Sequence, residues 1–417
     1  MRRLVVSFTI IFFVSGWWGC SSSRMSHREP DRLFMEGRFN EAAQRLEEDL
    51  KKAGGEKSAD YLLYLLDIGL ARHAAGEYEE SNRVLLQADR LAEIKDYTSL
   101  SEEAGTLLTS ENVKDYRAED FENVLINVYL AMNFALLGKT EDAMIEARRV
   151  NRKLYLMVSE GKRNYKQNIF AHYLIALMYE MQDDDDNAFI SYKKVFEIDP
   201  TLGFLKKDLA RLALRAGRQD EIERFIKEGV LSRDDVGEAK KELKKQKNQG
   251  ELIVLFQNGL SPIKRPHPSF HKVPKFFPRY NPVSALEIYV GEQKTAETLV
   301  LEDIEQTAIQ NLDEKYAGLI AKRVGGVVVK EVVAEGVEQA TDSPVVGLLT
   351  RIALHASDQA DIRSWNLLPK SLQMARVWLE PGEHALRLQT QGVDKKHEAK
   401  VTIKKGQKAW LNWRYIP

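Results

Sequence analysis

With a single cysteine in 417 residues, the chain has no means of forming an internal disulfide, so its folded state must rest on packing alone. Charge of one sign is also lacking: the formal net charge of −1 leaves out the basic excess of a nucleic-acid binder and any bulk attraction to anionic lipid or peptidoglycan. Proline is almost missing from the first 249 residues, where only Pro30 and Pro200 occur, so helices can run there without interruption. Reaction signatures are missing too. There is no Gly-x-Ser-x-Gly elbow, no His-Glu-x-x-His helix and no phosphate-cradling glycine loop, and the eight histidines fall in no ligand pattern. No catalytic residue, metal site or cofactor is therefore expected, and the chain reads as a non-enzyme. Carboxylate pairs for glycan cleavage have no fixed spacing, which leaves a peptidoglycan hydrolase as the one enzyme class still open.

What is present begins with an address. Arg2 and Arg3, an uncharged run from Leu4 to Trp18, and Gly19 before Cys20 make the three parts of an export signal, residues 1–19. The run is too short to span a bilayer comfortably as a helix. Ending on Gly-Cys, it resembles a lipoprotein signal, although Trp17 and Trp18 are bulky for the processing site. The resemblance implies a lipid thioether on Cys20, and Ser21 behind it looks like outer-membrane sorting. Residues 20–30 then form a polar tether, opening with Ser21, Ser22 and Ser23.

From 31 to 235 the pattern is one of paired helices. The clearest unit has Ile175-Ala176, Tyr179, a turn at Asp183, then Ala188, Tyr192, Val195 and a closing Pro200, the offsets of a tetratricopeptide repeat. The next turn, Gly217, follows 34 residues later. Earlier turns at Gly37, Gly76 and Gly138 are spaced by 39 and 62 residues, with 45 to Asp183, so segments are inserted, the largest around Asp96 to Asp120. Small residues let the helices of a pair approach, while Tyr and Phe fill the space to the next pair. Projected onto the first helix of each pair, the register turns His73, Leu125, Val128, Tyr129, Met132, Phe170, Tyr173, Leu177, Lys207, Arg211 and Arg215 toward the concave groove. Such a lining suits a protein or peptide partner with a carboxylate at one end, unless the segment 98–116 folds back into it. The acidic run Asp183 to Asp186 falls on a turn, where aspartate caps a helix more readily than it holds calcium. Residues 236–249 form a lysine-rich charged helix that leads to a boundary at Gly250.

Beyond Gly250 the character changes to short β-branched runs. Strands are expected at 252–256, 285–290, 373–379, 383–389, 398–403 and 408–413, with helices near 304–333 and 345–356 and a type II turn at Pro381-Gly382. Six of the twelve prolines crowd into 262–282 among Phe270, Phe276, Phe277 and several basic residues, which predicts an extended loop. Phe270, Phe276, Phe277, Arg363 and Trp365 are the candidate surface of this domain, with Trp365, Trp410 and Trp413 able to stack on a sugar. The fold class expected is α+β and multidomain: an α-solenoid of TPR-like hairpins followed by a small β-sandwich with helical insertions, residues 250–417.

Several blocks carry a wider likeness: Glu103-Ala104-Gly105, Asp120-Phe121-Glu122, Glu146 to Asn151, Gly250-Glu251-Leu252, Asn258 to Pro262, Ala360-Asp361, Arg363-Ser364-Trp365 and Leu368-Pro369. In these the chain resembles a family of bacterial lipoproteins with tetratricopeptide repeats and a C-terminal β-rich domain, most without an assigned activity. The resemblance implies an envelope location and a noncatalytic character, with no catalytic residues to carry over. The expected role is a lipid-anchored periplasmic adaptor on the outer membrane that binds a protein partner in envelope assembly. The alternative is a cell-wall glycan binder, or an accessory to peptidoglycan synthesis, acting through the β domain.

Overall fold

The computed structural model describes residues 28–102, 115–159, 169–268, 274–324 and 360–417. The export signal, Cys20, Phe270 and the helix expected at 345–356 lie outside the described residues.

The helices follow as antiparallel pairs: α1 (Arg28–Met35) with α2 (Phe39–Lys52), α3 (Tyr61–Ala74) with α4 (Tyr78–Glu102), α5 (Asp120–Leu136) with α6 (Thr140–Ser159), α7 (Ile169–Met181) with α8 (Asp185–Ile198), and α9 (Leu205–Arg215) with α10 (Gln219–Lys227). A last helix, α11 (Arg233–Gln246), packs on α9 and opens with a capping box, Ser232 and Asp235 exchanging bonds with each other's backbone. The expected turn residues all adopt the left-handed conformation, which needs no Cβ at glycine and strains Asp183, at φ 56°. Asp183 is tolerated because its turn is tied across the array. Asp184 accepts from the Asn187 N–H at 3.1 Å, while Asp185 and Asp186 pair with Arg215 and Arg218 of the next repeat, each at 2.8 Å. The acidic run is thus a cap and an inter-repeat strap.

Inner and outer helices differ in a way that matters for function. Outer helix α6 buries one stripe, Ala143, Met144, Ala147, Val150 and Leu154. Inner helices α3, α5 and α7 are buried on nearly every side, α3 from Leu62 through Ala71 without a break. A helix apolar all round needs a covering on both faces. The outer helices supply one, and the C-terminal half supplies the other.

That half holds two four-stranded sheets. The first has the order β10-β1-β7-β6, from β1 (Gly250–Asn258), β6 (Leu299–Asp303), β7 (Ser371–Leu379) and β10 (Lys408–Tyr415). The second runs β5-β4-β8-β9, from β4 (Leu286–Val290), β5 (Gln293–Glu297), β8 (Gly382–Thr390) and β9 (Lys396–Ile403). Leu252, Val254 and Phe256 meet Leu286, Ile288, Leu386 and Leu388 between the sheets, giving the sandwich. β7 and β8 belong to different sheets, so Pro381-Gly382 carries the chain around a corner instead of closing a hairpin; Gly382 sits at φ 145°, outside a type II turn. The proline-rich stretch forms a small ribbon, β2 (Ile263–Pro266) against β3 (Pro274–Phe277), with Pro266 opposite Pro274 at its end, where no ladder bond is needed. Helix α12 (Ile304–Val324) packs against β3.

Because side chains alternate along a strand, one face of the first sheet fills the sandwich and the other is left to be covered. All nine residues of β1 are buried. The outward face reads, strand by strand in register, Lys408-Glu251-Trp378, Trp410-Ile253-Arg376, Asn412-Leu255-Met374 and Arg414-Gln257-Leu372. It lies in the concave surface of the helical array, and a single apolar core runs from Leu33 on α1 through the inner helices to Ile253, Leu255, Met374 and Trp365.

Candidate functional site

The groove that repeat logic assigns to a partner is occupied by the chain's own first sheet. His73, Leu125, Val128, Tyr129, Met132, Phe170, Tyr173, Leu177 and Arg211 do turn inward as the register requires, but each is buried, so none offers an open binding surface. Of the insert expected to fill the groove, residues 103–114 lie outside the described residues. Lys207 is exposed at the rim, and Arg215 is spent on Asp185 and Asp183.

Three polar clusters join the array to the sheet. At the α7–α9 end, Arg376 projects from β7 into a box of two carboxylates and two phenols. Its guanidinium donates to Asp208 at 2.8 Å, to Tyr192 Oη at 2.9 Å and to Glu180 at 3.2 Å, and it also pairs with Glu251. Arg211 holds Glu180 from the other side at 2.6 Å and Asp208 at 3.0 Å, while Lys408 pairs with Glu251 and reaches Glu180 at 3.4 Å. Tyr173 donates to Asp208 at 2.7 Å and Tyr192 to Glu180 at 2.8 Å. Three anions thus face three cations with no net charge. Burial by itself would raise the carboxyls, but Arg211, Arg376 and Lys408 overcome it and hold Glu180 well below the ordinary range. Arg376 and Lys408 do the same for Glu251. Burial and the adjoining Asp208 push the Tyr173 phenol up, so it stays a donor.

The middle cluster is a neutral chain of hydrogen bonds. Tyr129 donates to Gln257 Oε1 at 2.9 Å, Gln257 Nε2 donates to His73 Nε2 at 2.6 Å, and His73 Nδ1 donates to Asn133 Oδ1 at 2.5 Å. Asn133 continues to Ser81 Oγ at 2.9 Å, which donates to the Gly69 carbonyl at 2.7 Å. Since Nε2 of His73 accepts, a second ring proton would face a donor. Burial lowers its pKa to about 4, and the ring is neutral at ordinary pH. Beside it, the buried Arg414 guanidinium donates to four carbonyls, of Gln257, Gly259, Leu367 and Tyr415, and has no carboxylate partner among the described residues.

The third cluster lies at the start of α5. Glu122 closes the capping box with the Glu119 N–H at 2.8 Å and accepts from Tyr116 Oη at 2.5 Å and from the Trp365 backbone N–H at 2.7 Å. Burial, with Glu119 adding, raises its pKa to about 7. Lys264 pairs with Glu119 at 2.7 Å, Arg363 with Asp60 at 2.8 Å and with Asp361 at 2.6 Å, and Phe276 meets Phe121 with ring centres 6.2 Å apart. Phe276, Arg363 and Trp365, expected as an outer surface, are interface residues instead. Trp365 is buried 5.8 Å from the Tyr129 ring and cannot stack on a sugar; Trp410 faces the array, and Phe277 is half-buried.

Sequence reasoning missed Arg376, Glu180, Asp208, Glu251, Gln257 and Asn412. One signal was legible: Glu251 and Gln257 bracket the unbroken run Leu252 to Phe256 at an even spacing, which puts them on one face of the strand and marks a face that needs polar partners. Among the described residues no group of three His, Cys, Asp or Glu could hold a metal, and no helix is long and apolar enough to cross a membrane.

The geometry defines a class: a TPR-like solenoid whose concave side is sealed by an attached β-sandwich. No protein-family model matches the chain, and no curated protein does. Among solved structures it is similar to the MamA protein, at 14% identity over 52% of this chain and 90% of that one, with a TM-score of 0.32. It is similar also to the TPR-like repeats of a Podosopora anserina kinesin light chain, at 14% identity over 53% and 96%, TM-score 0.35. A MamA fragment from Desulfovibrio magneticus RS-1 gives 16% identity over 52% and 88%, TM-score 0.32.

Proposed function

We propose that the chain is a noncatalytic adaptor of the bacterial envelope, held by a lipid on Cys20 at the periplasmic face of the outer membrane, which presents the outer faces of its repeat helices to a protein partner in envelope assembly. The observation that carries this reading is the sealed groove. A peptide entering it would have to displace six ionised groups that already balance one another, Glu180, Asp208, Arg211 and Glu251 buried and Arg376 and Lys408 half-buried. Leaving any one of them without its partner costs about 3–5 kcal/mol. The resident sheet is covalently attached as well, so it competes at an effective concentration in the millimolar range or above. Binding is therefore left to the convex side.

Two measurements test the two halves of the proposal. Cys20→Ala should move the protein from the membrane to the soluble fraction of fractionated cells; unchanged membrane association would remove the anchor. In-cell photocrosslinking should yield protein adducts from at least one probe on the outer helices, among Ile145, Tyr155, Ile190 and Glu223, and none from one at Lys207 on the groove rim. The opposite pattern would return binding to the groove.

A further inference from the structure

Resting on the adaptor reading, we propose that the outer face of α6 is the docking surface, and that it takes an acidic helical segment of the partner protein. The helix buries one side in the array. Its other side carries Ile145, Arg148, Arg152 and Tyr155, at spacings of three, four and three residues, which is a single stripe about 15 Å long. The two ends are apolar and open: Ile145 is 49% exposed and Tyr155 71%. The middle is cationic.

Charge selects the occupant. Several other cations of the array are answered by carboxylates: Arg38 by Glu41, Arg72 by Glu47 and Glu77, Arg149 and Lys153 by Asp89, Arg218 by Asp186. Arg148 and Arg152 have no carboxylate within ion-pair distance among the described residues. Arg148 is held over the Tyr179 ring, 5.9 Å from its centre, which steadies the guanidinium without neutralising it. Two unanswered guanidiniums one helical turn apart, the first of them steadied on Tyr179, match carboxylates at the same spacing on a facing helix, with apolar residues above and below for Ile145 and Tyr155. A bilayer is a poorer match. The apolar positions, Ile145 at one end and Tyr155 with Leu156 at the other, are separated by the two arginines, whereas a helix lying on lipid needs a broad continuous apolar face.

The test uses the full lipidated chain in its own cells, with a photoreactive phenylalanine at Ile145 or at Tyr155 and the adducts digested and sequenced. Both positions should mark one partner, within about 11 residues of each other and in a stretch containing Asp or Glu. Arg148→Glu with Arg152→Glu should lower adduct yield at least tenfold while leaving thermal unfolding unchanged, and Arg148→Lys with Arg152→Lys should keep most of it. Adducts with lipid, adducts scattered over the partner or lacking acidic residues, or a yield indifferent to charge reversal would overturn the proposal. Probes at Ile190 and Glu223 separate the two levels: adducts there and none on α6 refute this stripe alone, and no adduct at any of the four positions refutes the adaptor reading with it.

Discussion

Replacing Arg376 by Met should cost more than any single contact it makes, because it leaves three carboxylates, Glu180, Asp208 and Glu251, facing Arg211 and Lys408, with Arg215 at 3.8 Å from Glu180 and already shared with Asp185 and Asp183. Stranding a buried charge in this way costs about 3–5 kcal/mol, a large part of the roughly 5–15 kcal/mol that holds a domain folded. Glu251→Gln strands a cation instead and should cost a similar amount. The double variant is neutral again, with Glu180 and Asp208 against Arg211 and Lys408, so its loss should fall short of the sum of the two by about 2–3 kcal/mol. Urea unfolding of the unlipidated mature chain can read this twice. Far-UV circular dichroism follows the helices, while tryptophan fluorescence follows Trp378, whose ring lies 5.6 Å from the Lys408 ammonium, and Trp410 in the shared core. One core should give one midpoint for both signals, moved together by Arg376→Met. Single losses under about 1 kcal/mol that simply add, or a fluorescence midpoint that moves while the helical one stays, would refute the view that the sheet and the array are sealed into one unit.

Two further predictions concern the same interface. Burial lowers the His73 pKa from 6.5 to about 4, so at this site the unfolded chain gains a proton before the folded one does, and the site's own contribution to stability falls as pH drops from 6.5 to about 4; His172, also lowered to about 4, adds to that trend, while Glu122, raised to about 7, and Asp31, raised to about 6, oppose it. At about 1.4 kcal/mol per pH unit the His73 share amounts to about 3 kcal/mol; the stability of the parent relative to His73→Gln should fall by that much across the range, and a constant difference would assign the effect to another group. Gly250→Ala places a methyl 2.3 Å from the Lys404 carbonyl oxygen, a backbone atom that cannot swing away, so β1 must shift where it enters the sheet. The expected loss is about 1–3 kcal/mol by chemical denaturation, and a neutral variant would show that the strand entrance is loosely held.

Much of the architecture was legible because it is local. Left-handed turns need residues with little or no Cβ penalty, so Gly37, Gly76, Gly138 and Gly217 mark the helix pairs wherever the chain later goes. Alternation in Leu386-Arg387-Leu388 marks a strand with one buried face, and that strand lies in the sandwich. Of the residues that the register turns inward, all but Lys207 and Arg215 are buried. What hid from the sequence was whether that side stays open, since a tyrosine or methionine at helical spacing looks the same beneath solvent as beneath a sheet. The apolar residues on nearly every side of α3, α5 and α7 were the available warning, for an open groove leaves its inner helices a polar stripe.

The sequence by itself determined the helix pairs with their turns and six of the ten described strands, because each depends on residues within a few positions of one another. Only the tertiary structure decided what the elements are for. Tyr129 meets Gln257, 128 positions away, and Arg376 meets Glu180, 196 positions away. Such pairs leave no spacing to read, because whether a charge is a ligand site or a seal depends on what folds against it. Here the sheet folds against it, and the groove that repeat logic assigns to a partner becomes the interior that joins the two halves of the chain.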